Sequence, residues 1–94
     1  MYGRVFAKAL PEVTDDIPQS EAARYIPPEC SIWRSNQRFA WCLHVFGHPR
    51  ESVNFADFGG NSFEAMREAC RRCWRTWNED HHMPETFCPV KGVF

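Results

Sequence analysis

The sequence predicts an α+β fold: a three-stranded antiparallel sheet packed on one C-terminal helix, with an irregular N-terminal arm and C-terminal tail. Three observations predict it. Residues 38–46 alternate, with Phe39, Trp41, Leu43 and Val45 on one side and Arg38, Ala40, Cys42, His44 and Phe46 on the other, the two-residue period of a strand. Residues 66–77 set Met66, Ala69, Cys70, Cys73, Trp74 and Trp77 on one stripe at helical spacing. Prolines punctuate both ends, at Pro11, Pro18, Pro27 and Pro28 and again at Pro84 and Pro89. The chain has 94 residues, enough for one small domain and no deep multi-substrate cleft.

The arm spans residues 1–29. Residues 2–8 read as a short strand with Tyr2, Arg4 and Phe6 on one side. Ser20 has the chemistry of a helix cap, so one or two helical turns follow it and stop at Pro27-Pro28. The core spans residues 30–78. Its first strand covers residues 30–34, and Ser35-Asn36-Gln37 is a turn. The second strand is residues 38–46. Residues 47–50 read as a turn and residues 51–55 as the third strand. Turns this short favour an antiparallel meander.

Gly59-Gly60 breaks the chain before the helix. Asn61 or Ser62 caps it, and Asn61 with Glu64 fits a capping box. The helix runs to about Asn78, with Arg67, Arg71, Arg72 and Arg75 opposite the apolar stripe. Glu64 and Glu68 lie early, where the helix dipole favours acids, and Glu68 is spaced to pair with Arg72. The tail, residues 79–94, is irregular yet carries Met83, Phe87, Val90, Val93 and Phe94, so it is expected to wrap the core or dock on a partner.

Composition narrows the function classes. An aromatic share of 15% excludes simple disorder. No apolar run approaches the ~20 residues of a membrane span, so no membrane role is expected. No uninterrupted apolar segment opens the chain, so a secretory signal is not expected. The formal net charge of −1 divides unevenly. The arm and the tail each carry −2, whereas residues 30–77 carry +3. Nine of the eleven basic residues are Arg, which suits bidentate contacts to phosphate, carboxylate or base edges; an ordinary solvated surface with ion pairs uses the same residues.

Residues 31–77 resemble the APETALA2-like (ethylene-response-factor) DNA-binding domain and the related arm-type DNA-binding domain of phage integrases. The resemblance rests on Ser31-Ile32-Trp33-Arg34-Ser35-Asn36-Gln37-Arg38-Phe39-Ala40-Trp41, and on Phe58-Gly59-Gly60 followed by Glu64-Ala65 and Ala69. It implies a sheet laid in the DNA major groove. Carried over by position, the nucleic-acid-binding candidates are Arg34, Arg38, His44 and Arg50. A β-ribbon fits that groove, and Arg reads guanine bidentately. The third strand departs from the family, offering Ser52 and Asn54 where basic or aromatic contacts are usual.

The alternative is a protein–protein interaction module, either a small subunit of a larger assembly or a phage-type inhibitor protein. Its partner-binding candidates are Trp33, Phe46, Phe87 and Phe94, aromatic residues of the kind enriched at interface hot spots. Five cysteines and no signal segment favour an intracellular, reducing compartment over a disulfide framework. Cys70 and Cys73 form a C-x-x-C, with His81, His82 and Cys88 downstream as weak zinc candidates. Both thiols sit on the apolar stripe, where Cys acts as a small hydrophobe, so no cofactor is expected. The pair lies too deep in the helix for the dipole to activate it, and no phosphate-binding glycine loop is present. The chain therefore reads as a binding module for duplex DNA or a larger protein complex. It is not expected to be an enzyme or to take a small-molecule substrate.

Overall fold

The computed structural model describes residues 6–13, 17–35, 40–45, 48–54 and 60–94, with side chains in the strands for residues 30–34 and Trp41. It is an α+β structure. The order of elements is a short helix α1 (Gln19–Ala22), a 3₁₀ turn (Ala23–Tyr25), strands β1 (Cys30–Ser35), β2 (Ala40–Val45) and β3 (His48–Asn54), and a long helix α2 (Phe63–Asp80).

The arm's helical turn begins two residues earlier than a Ser20 cap requires. Pro18 is the N-cap, and its carbonyl accepts from the Glu21 and Ala22 amides. Proline's fixed φ suits helix entry without any side-chain cap. Ile26 then turns extended, at φ −124° and ψ 158°, because the ring of the following Pro27 disfavours the helical region.

The strands run antiparallel in the order β1-β2-β3. β1 and β2 pair from Cys30↔Val45 to Ser35↔Ala40. β3 starts at His48, inside the expected turn, and pairs with Val45 across a register irregularity. Pro49 is tolerated there because β3 is an edge strand. Residues 36–39, 46–47 and 55–59 lie outside the described residues, as do residues 2–5 of the expected arm strand. Just beyond that segment, Ala9 makes an isolated parallel bridge to Lys91.

α2 is capped by Ser62, not by Asn61: Ser62 Oγ accepts from the Ala65 amide at 3.1 Å. Asn61 serves through its carbonyl, which accepts from Trp41 Nε1 at 3.2 Å. Its apolar stripe is buried from Phe63 to Trp74, with Met66, Ala69, Cys70 and Cys73 all inaccessible to solvent. Two layers close on this stripe. Cys30, Ile32 and Trp41 come from the sheet; Ile17, Ala22, Tyr25, Ile26, Val90 and Val93 come from the arm and tail. On the opposite face Glu68 pairs with Arg71 and Arg75, at 3.6 and 3.7 Å, rather than with Arg72 as its spacing suggested. Among the described residues no helix is long and apolar enough to cross a membrane.

Candidate functional site

The pleat of β1 decides which residues the sheet can offer. Cys30 and Ile32 are buried towards α2, so Arg34, two further along, belongs to the same side. The register sets Arg34 opposite Trp41, and its guanidinium lies 4.7 Å from the centre of that indole ring. Arg34 Nη2 also donates to the Ile17 carbonyl at 3.1 Å. Arg34 therefore fastens the arm to the inner side of the sheet. It is not on the outer face where a groove-reading arginine has to be, because strand parity places it with Ile32.

The other set of the pleat comprises Ser31, Trp33 and Ser35, paired in register with His44, Cys42 and Ala40. Ser31 and Trp33 are half-buried. His44 thus falls out of phase with Arg34, and the two do not share a face. The side chains of His44 and Arg50, and the whole of Arg38, lie outside the described residues.

The four partner-binding candidates are dispersed. Trp33 is on the sheet side turned away from α2. Phe87 packs on α2, its ring 6.2 Å from Trp74 and 5.9 Å from Trp77 between centroids. Phe94 is 36% exposed and lies under the Arg75 guanidinium at 5.7 Å. Phe46 lies outside the described residues. Trp33, Phe87 and Phe94 therefore form no single patch.

The zinc candidates are also separated. Cys70 and Cys73 are inside the core. Cys70 Sγ donates to Met66 Sδ at 3.6 Å, and Cys30 Sγ donates to the Cys73 carbonyl at 3.9 Å. Burial pushes the Cys70 thiol up; the hydrogen bond with Cys30 and then burial push Cys73 well above the usual thiol range. Burial also raises Cys88. Thiols held protonated in this way are poor metal ligands and poor nucleophiles. His81 is at the far end of α2, stacked on Trp77 at 4.0 Å, with Nδ1 donating to the Trp77 carbonyl at 2.9 Å. His82 is exposed beyond it. Among the described residues no group of three or more His, Cys, Asp or Glu is placed to hold a metal ion.

Three residues whose bonding periodicity does not reveal organise the side of α2 away from the sheet. Trp74 Nε1 donates to the Tyr25 carbonyl at 2.7 Å. Arg71 Nε donates to the Val93 carbonyl. Asn78, 1% exposed, donates from Nδ2 to the Glu85 and Phe87 carbonyls at 3.0 and 2.8 Å. Asn78 was findable: it continues the Cys70–Trp74 row by four residues, and a polar group on an apolar row is expected to have a bonded partner. The arm and tail also bond to each other, Leu10 N to the Lys91 carbonyl and Lys91 N to the Lys8 carbonyl. Gly92 permits this crossing, since its φ is +92° and a Cβ there would meet Leu10 at 3.4 Å.

No protein-family model matches the chain, and no curated protein or solved structure matches it significantly.

Proposed function

We propose that this chain is a non-enzymatic binding module that presents the outer face of a three-stranded sheet to duplex DNA, in the manner of an APETALA2-like domain. One observation carries the reading. Among the described residues, the bonds and ring contacts above take the arm and tail to α2, to the inner-side Arg34 or to each other, and not to the outer set of β1. A sheet backed on one side by a helix can offer its other side to a major groove. The contacts proposed are Arg38, His44 and Arg50; Arg34 is withdrawn from the set. The arginines of α2 contribute little, because Arg67 pairs with Glu64 while Arg71 and Arg75 pair with Glu68. The free thiols of Cys30, Cys70, Cys73 and Cys88 support an intracellular, reducing location.

The test is fluorescence anisotropy on a pool of random-sequence duplexes at low salt. Binding is expected, weakening steeply as salt rises. Arg38→Glu with Arg50→Glu should abolish it. Arg34→Ala should instead cost about 1–2 kcal/mol of folding stability, from the lost ring contact and carbonyl bond, and leave the folded fraction competent. Binding that ignores both salt and the double substitution overturns the proposal and leaves a protein partner as the reading. Deleting residues 79–94 cannot test that alternative, since Val90 and Val93 belong to the core.

A further inference from the structure

The last turn of α2 holds no basic residue, although helix C-termini favour cations near their unpaired carbonyls. The residue placed at that end is His81, the C-cap. Its ring lies flat on the Trp77 indole, with centroids 4.0 Å apart and planes 15° from parallel. Its two nitrogens face different groups. Nδ1 is 2.9 Å from the Trp77 carbonyl, and Nε2 is 3.7 Å from Glu29 Oε1. Glu29 ends the arm and is followed directly by β1. His81 therefore spans from the exit of the helix to the entry of the sheet.

A carbonyl can only accept, so Nδ1 has to carry the proton of the neutral ring. That leaves the Nε2 lone pair facing a carboxylate, two acceptors with no hydrogen between them. A second proton can go only onto Nε2, and it turns this contact into an ion pair. The same charge meets the negative end of the helix dipole and the face of an indole, and both favour a cation. Glu29 is the group that faces the ring from the arm. Along the chain, Glu79 and Asp80 precede the ring, and His82 and Glu85 follow it in the tail. Three of these four are acids that favour the charge, and only a protonated His82 opposes it. We propose that His81 is a proton-operated clasp, which holds the end of the arm to the end of α2 when its ring is charged and releases it when the ring is neutral. Histidine is the side chain that changes charge between about pH 5 and 8, so the clasp works in the physiological range. His81 and Glu29 are both exposed, so protons reach the pair without any opening of the core. Neither residue belongs to the sheet face proposed for DNA, so either proposal can fail without the other.

The experiment has two readouts on the full chain. ¹⁵N NMR of the imidazoles, with His81→Gln to assign the ring, reads the tautomer at about pH 8. The Nδ1–H form is expected, whereas a free histidine side chain prefers Nε2–H. Hydrogen exchange then follows the two amides beside the clasp, Cys30 N–H on the Pro27 carbonyl and His81 N–H on the Trp77 carbonyl. Their protection, taken as the ratio of wild type to Glu29→Gln, should rise about twofold to threefold from about pH 8 to about pH 5.5, the size of an exposed ion pair. An Nε2–H tautomer overturns the proposal, and so does a protection ratio that stays constant with pH.

Discussion

The two sides of α2 are held by different physics. Towards the sheet the contact is mainly apolar: Met66, Ala69 and Cys70 share one core with Ile32 and Trp41, and the Cys30 thiol bond to the Cys73 carbonyl is a weak addition to it. Towards the arm and tail, polar side chains reach backbone carbonyls: Trp74 to Tyr25, Arg71 to Val93, Asn78 to Glu85 and Phe87. The first contact repeats with the helix. The second depends on where an irregular chain happens to bring its carbonyls, and no repeat records it. An irregular segment has backbone groups that no ladder satisfies, so long donors from a helix can clasp it.

The largest test of this contrast is a pair of substitutions. Trp74→Ala and Trp41→Ala should each cost about 3–5 kcal/mol in urea unfolding. Trp74 touches the rings of Phe6, Trp77 and Phe87, and Trp41 is 1% exposed on the sheet side. If the arm and tail were mere coverings, the Trp74 variant would lose far less than the Trp41 variant. A smaller effect, about 1 kcal/mol, is expected for Ser62→Ala, which leaves the Ala65 amide unbonded at the helix start. That loss should appear in thermal unfolding without changing the tail's contacts.

The smallest effect concerns Tyr25, on the arm side. Its hydroxyl donates to Glu21 Oε1 at 2.9 Å. Burial, then that bond and the Glu21 charge, push its pKa from 10.0 up to about 12. The unfolded chain loses this proton first, so the stability it contributes is present below pH 10 and is lost as pH rises towards 12. Tyr25→Phe should cost about 0.5 kcal/mol at neutral pH. The gap between the two proteins should close as pH rises past 10 and reverse before pH 12, read as the urea midpoint at each pH; a constant gap would detach the hydroxyl from the fold.

The same contrast explains what the sequence disclosed. The α2 stripe and the β2 alternation are local periods, and the helix lies where they put it. Arg34 is a DNA candidate only through the family resemblance, which carries over a position and not the face it occupies. Only the parity with Cys30 and Ile32, together with Trp41 across the ladder, shows that it faces inwards. Glu68 has Arg72 at helical spacing but reaches Arg71 and Arg75 instead, and rotamer choice of that kind is not written in spacing. The tail's burial was half legible, since Val90 and Val93 announced apolar surface. Their contact with the arm was not, because a bridge such as Ala9 to Lys91 leaves no mark in either segment.

That bridge has a consequence for biosynthesis. Ala9 emerges from the ribosome before the whole intervening chain, and its partner Lys91 only after it. The core cannot close until residues 90–93 are out, so the nascent arm waits with Ile17, Tyr25 and Ile26 uncovered. Closure across so long a loop is entropically expensive, and folding dominated by such distant contacts is slow.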